Sequence, residues 1–189
     1  MARPRSEQRR SAILSASARV VASQGLGAST AAIAKEAGVS NGSLFVYFET
    51  KSALVNELYA MLKSEMGAAA MDGMPEDAEP REQLLHMWTG WLRWATGDPD
   101  RRRALAQLEV ADEVTAETRR SVHAAQGEMA AVLERCRAQG PMADEPLDFV
   151  LVLAGAISDA AIDAVIREPG AAAARSDAAF EAISRLLLG

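Results

Sequence analysis

Apolar residues in this chain recur every three or four positions from one end to the other, and no stretch alternates apolar with polar between hairpin turns. That spacing predicts an all-α fold of about nine helices. The first helix runs from about Ser6 to Gln24, with Ile13, Ala16, Val20 and Val21 on one stripe, and stops at Gly25, where a left-handed residue costs little. Ser29 caps a short second helix ending near Ala37, Gly38 breaks it, and Ser40 caps a third of about two turns, through Phe48. Thr50 caps a fourth, carrying Leu54, Leu58, Met61 and Leu62 on one face. Beyond Gly67 a run of Gly, Ala, Pro and acidic residues predicts a loop or hinge. Helices follow at about 80–96, 100–110, 115–139, 146–167 and 176–188, parted by Gly97-Asp98-Pro99, Asp112-Glu113, Gly140-Pro141 and Pro169-Gly170.

Charge divides the chain unevenly. Lys and Arg number 20 against 26 Asp and Glu, a net charge of -6 that by itself argues against a polyanion partner. Residues 1–51 reverse the sign: Arg3, Arg5, Arg9, Arg10, Arg19, Lys35 and Lys51 stand against Glu7, Glu36 and Glu49, a balance of +4, so the rest carries -10. A basic module followed by an acidic body suits a protein that touches nucleic acid at one end only.

Other chemistries find little footing. The single cysteine, Cys136, allows no internal disulfide, and with His86 and His123 it makes a poor metal-ligand set; no metal and no cofactor are expected. Arg135 and Arg137 flank Cys136 and could lower its thiol pKa, but a small buried side chain is the better reading. There is no Ser/His/Asp order, no Gly-rich phosphate loop and no histidine pair on one helical face, so no enzyme is expected. The longest uninterrupted apolar stretch, near 149–157, is about half the ~20 residues of a membrane span. The opening MARPRSEQRR has no apolar core behind its charges. A soluble, cytoplasmic chain is expected.

The chemistry concentrates in residues 29–48, STAAIAKEAGVSNGSLFVYF. Ile33, Ala34 and Ala37 face inward from one capped helix, Gly38-Val39 turns the chain, and Leu44 and Phe48 face inward from the next. That is a helix-turn-helix. Its second helix leaves Asn41, Ser43, Phe45 and Val46 free to enter a major groove, with Gly42 and Ser43 small enough for close approach. Ser29 and Ser40 could meet phosphates beside it.

Ser29-Thr30, Ile33-Ala34, Ala37-Gly38-Val39-Ser40, Gly42, Leu44-Phe45, Tyr47-Phe48, Lys51 and Leu54, at these spacings, resemble the DNA-binding domain of the TetR family of transcriptional regulators over residues 10–58. The resemblance implies a helix-turn-helix DNA-binding domain at 1–51, a connecting fourth helix at 51–67, and a helical ligand-binding and dimerisation domain at 68–189. It implies a homodimeric repressor released from palindromic double-stranded operator DNA by a small-molecule effector. By position, Ser29 or Thr30, Tyr47 and Lys51 would hold phosphates, while Asn41, Ser43 and Phe45 face bases or sugars. Two departures stand out. Position 41, often basic in the family, is Asn, which favours adenine or a water-mediated contact over guanine. Val46 cannot hydrogen-bond and could at most touch a thymine methyl.

In the second half, Leu84, Trp88, Trp91 and Ala95 share a stripe with Met87 and Trp94 on its flank. Such side chains either wall a pocket for an apolar or aromatic effector or fill a core otherwise short of bulk. Met61, Gln107, His123 and Phe149 are further candidates for that pocket, beside Met87, Trp88 and Trp91. Gly155, Ala156, Ala160, Ala161 and Ala164, then Phe180, Ile183, Leu186 and Leu187, give the last two helices (about 146–188) more apolar surface than one subunit covers, which predicts a homodimer through them. The competing reading is a helical small-molecule-binding or enzymatic bundle whose helix-turn-helix is only structural, and the basic N-terminal module is what disfavours it.

Overall fold

A computed structural model describes residues 3–189, with side chains from Ser6 onward. Among these residues the chain is all helical: α1 Arg3–Gln24, α2 Thr30–Glu36, α3 Asn41–Tyr47, α4 Lys51–Met71, α5 Pro80–Gly97, α6 Pro99–Glu109, α7 Ala116–Ala125, α8 Gly127–Arg137, α9 Leu147–Arg167 and α10 Ala172–Leu187, with a 3-10 turn at Pro169–Ala171. The count exceeds the expected nine because the helix anticipated over 115–139 is two. Gln126 leaves helical geometry at φ -99°, ψ 24°, beside Gly127, the weakest helix former in the stretch. In the other direction, α4 runs on past Gly67 to Met71, since Ala68, Ala69 and Ala70 favour a helix whether or not they form a stripe. The expected loop is therefore only residues 72–79.

Packing gathers the chain into two compact units, each built from separated stretches: residues 1–64 with 98–125, and 65–97 with 126–189. In the first unit α6 lies along α1, and α2 packs on α1 and α3. The predicted α1 stripe is its core: Ile13 and Ala16 are fully buried, with Val20 and Val21 nearly so. Leu54, Leu58, Tyr59 and Leu62 of α4 and Leu105 and Leu108 of α6 are buried as well.

Polar side chains fasten the α6–α7 corner to α4. Asn56 donates to the carbonyls of Ser52 (2.8 Å) and Glu113 (2.9 Å) and accepts from the Thr115 amide (2.9 Å) and the Thr118 hydroxyl (2.7 Å). Arg119 lies 5.4 Å from the Tyr59 ring centroid and donates to the carbonyls of Glu109 and Ala111, which closes the open end of α6. Lys63 pairs with Glu109 at 2.9 Å.

The second unit centres on Leu84, Met87, Trp88 and Ala95 of α5, Val132 and Cys136 of α8, Val150 and Ile162 of α9, and Phe180, Ile183 and Leu187 of α10. Two glycines set how closely its elements approach. A Cβ on Gly90 would fall 2.1 Å from the Ala69 carbonyl oxygen, and one on Gly140 would fall 2.0 Å from that of Leu187. Arg137 ties the chain before α9 together by donating to the carbonyls of Met142, Ala143 and Glu145, while Glu134 holds the same guanidinium at 2.6 Å. α9 is 21 residues long, and by length and composition alone it could cross a membrane, although its longest uninterrupted apolar run is short. Only 28% of its most apolar window is buried, so Phe149, Val152, Ala156 and Ala160 leave an exposed stripe; on α10, Ala174, Ala178 and Ala182 do the same.

Candidate nucleic-acid interface

The two short helices of the first unit form as their capping residues dictate. Ser29 is extended (φ -78°, ψ 151°) and accepts the Ala32 amide at 3.1 Å; Ser40 is extended likewise and accepts the Ser43 amide at 3.0 Å. Between them Gly38 has φ +68°, with its amide on the Lys35 carbonyl and the Val39 amide on that of Ala34. This pair of bonds closes α2 through a left-handed residue that only glycine supplies without strain. Ile33 and Ala34 of α2 pack against Leu44 of α3 and Phe48 just beyond it, all four at most 2% exposed. Arg10 covers the Phe48 ring at 5.1 Å and pairs with Glu57, and Arg19 pairs with Glu36 at 2.7 Å, so part of the basic charge is used to hold the head together.

With Leu44 turned inward, α3 offers Asn41, Gly42, Ser43, Phe45 and Val46 to solvent. Ser29 and Ser40 are exposed next to this face; Thr30 and Tyr47 are half-buried. The Ser40 and Ser43 hydroxyls lie 2.8 Å apart and bond to each other. Lys51 donates from Nζ to the Leu26 carbonyl at 2.6 Å, which anchors the turn between α1 and α2 and leaves two of the three ammonium protons for another acceptor. Nothing in the residue order signalled that bond, which joins positions 25 apart. Val46, one of the positions the sequence leaves free to enter a groove, is 81% exposed.

The candidate pocket residues divide between the units. Met61, Gln107 and His123 belong to the first, the imidazole exposed on α7; Met87, Trp88, Trp91 and Phe149 belong to the second. Trp88 is 4% exposed and donates from Nε1 to the Ser176 hydroxyl at 3.0 Å, as a core tryptophan should. Trp91 meets it edge to face, centroids 6.2 Å apart, at the margin of the core. Met87 is buried beside them, whereas Phe149 stands 48% exposed on the outer face of α9. Trp94 has a buried Nε1 with no hydrogen-bond partner. Cys136 is fully buried, its Sγ 3.5 Å from the Pro80 carbonyl, and burial pushes the thiol up against the smaller opposing effect of Arg135. No group of three or more His, Cys, Asp or Glu among the described residues could hold a metal ion.

Fold and site together define a class, the all-helical proteins that carry an N-terminal helix-turn-helix. Residues 13–58 match the family model of bacterial regulatory proteins, tetR family. A chain from Shewanella sp. PV-4 assigned to that family superposes with a TM-score of 0.83 at 26% identity, over 93% of this chain and 95% of that one. A TetR family transcription regulator from Marinobacter aquaeolei VT8 also gives 0.83, at 20% identity over 98% of both chains. LfrR of Mycobacterium smegmatis, solved in complex with proflavine, gives 0.72 at 17% identity over 96% of this chain and 98% of that one.

Proposed function

We propose that this protein is a cytoplasmic, homodimeric repressor that α3 and its neighbours hold on a palindromic operator and that a small apolar or aromatic molecule releases. The observation that carries the DNA reading is the outward face of α3, residues 41–46, on a doubly capped helix pair in the net-basic N-terminal stretch of an acidic chain. In this reading Ser29, Thr30, Ser40, Tyr47 and Lys51 meet phosphates, and Asn41, Gly42, Ser43 and Phe45 line the groove. The exposed stripes of α9 and α10 supply the partner surface, and their alanines let the helices of two subunits approach closely. That LfrR was solved with proflavine, a flat aromatic, supports an effector of the same kind here. Trp91 and Trp94 are the side chains best suited to meet it, with the unpartnered indole N–H of Trp94 offering a donor.

Release follows from linkage. An effector that binds better to a conformation unsuited to the operator shifts the population away from DNA by its difference in affinity, about 5.5 kcal/mol for a swing from 1:99 to 99:1. The test is binding to duplexes selected from a random pool. Two basic heads neutralising roughly 6 to 8 phosphates should give a log–log salt dependence of about -5 to -7, with half-sites related by two-fold symmetry. No binding at low salt would refute the DNA reading.

A further inference from the structure

α3 has an unusual outer surface for a helix read as a groove reader. Its seven residues, NGSLFVY, include no charge. At 3.6 residues per turn, the point diametrically opposite the buried Leu44 falls between Gly42 and Val46, one turn apart. The residues that would enter a groove deepest are therefore a glycine and a valine. Ser43 and Phe45 lie to either side of that line, and the Ser43 hydroxyl is already bonded to Ser40.

Gly42 has no role inside the molecule that requires glycine. A Cβ there would meet nothing within 4 Å, and its φ is not positive. Glycine nevertheless costs a helix about 1 kcal/mol relative to alanine. A bare backbone at the outermost point of α3 is of use only to something outside the chain that approaches closely. Val46, 81% exposed, presents an isopropyl group directly beside that gap, with the Phe45 ring 42% exposed on its flank. In the major groove the one apolar feature of any base pair is the C5-methyl group of thymine.

We infer that Val46 is a specificity-determining residue: its isopropyl group packs on a thymine methyl, with Gly42 allowing the helix backbone close enough for contact, so each operator half-site holds a T·A pair recognised by that methyl. The inference rests on the operator-binding reading. The full-length protein first selects its operator from random duplex DNA, and each thymine of a half-site is then replaced in turn by uracil, which removes the methyl and leaves every hydrogen-bonding group in place. At one position per half-site, uracil should weaken the wild-type protein by roughly three- to tenfold, the worth of one buried methyl group or a little more. Val46→Ala should bind thymine and uracil equally at that position, with an unchanged melting temperature as the check that it folds.

A selected operator bound equally well with uracil at every position would overturn the methyl contact while leaving operator binding intact. A uracil penalty that persists in Val46→Ala and vanishes in Phe45→Ala would overturn the assignment to Val46. Failure to select any duplex would remove the DNA reading itself, and this inference with it.

Discussion

Gly90→Ala adds one methyl group to the protein at a place with no room for it. The new Cβ would lie 2.1 Å from the Ala69 carbonyl oxygen, 2.9 Å from its carbon and 3.0 Å from the Ala70 Cα. All three are backbone atoms of α4, so no rotamer change makes room. Carbon and carbonyl oxygen pack at about 3.3 Å, and restoring that distance requires a relative shift of about 1 Å between α4 and α5. Overpacking of this kind costs about 1–3 kcal/mol, and a clash between backbones belongs at or above the upper end. Alanine returns about 1 kcal/mol of helix propensity, which leaves a net loss of roughly 2 kcal/mol. For a chain of this length that is a fall of about 4–8 °C in Tm. The control is Gly97→Ala in the same helix, where a Cβ meets nothing within 4 Å and no loss is expected. Melting followed by far-UV circular dichroism at one fixed protein concentration measures both. If Gly90→Ala melts at or above the wild type, the crossing is not as tight as the geometry states.

Asn56→Ala removes four hydrogen bonds, three of which join α4 to the α6–α7 corner, and should cost about 1–2 kcal/mol, with faster hydrogen exchange at the Thr115 amide as its local signature. Tyr59 supplies a pH dependence. Burial raises its phenol above the usual value near 10, so above that pH the unfolded chain releases a proton that the folded chain retains. Stability should therefore be flat below about pH 10 and fall as pH rises through the folded value; urea midpoints for the wild type and Tyr59→Phe, which should lose this slope, measure it.

The helix pair was legible because every signal that shapes it is local. Ser29 and Ser40 cap within three residues of themselves, Gly38 breaks where its φ turns positive, and Leu44 and Phe48 are one helical turn apart. The α5 stripe was legible for the same reason: Leu84, Trp88 and Ala95 are buried as their spacing requires. The break at Gln126 escaped notice because glycine costs an exposed helix only about 1 kcal/mol and often sits inside one. The course of α4 was misjudged because Ala68–Ala70 have propensity without amphipathic pattern. The bonds of Asn56, Arg119 and Lys51 were invisible in a different way, since their partners are carbonyls and amides, which every residue has and no periodicity marks.

The first packing unit also has a consequence for how the chain is made. Protein synthesis delivers α1 to α4 early, but the helix that lies along α1 comes only after the whole of α5, and the corner held by Asn56 comes later still. Domains that are continuous in sequence can close as they emerge from the ribosome. This one cannot: the side of α1 covered by α6 stays open while the intervening residues, 65–97, which belong to the other unit, are added. A gene fragment ending anywhere in that interval encodes the complete helix-turn-helix yet omits α6 and the corner it packs with. A nascent chain paused there exposes the side of α1 that α6 covers in the folded protein.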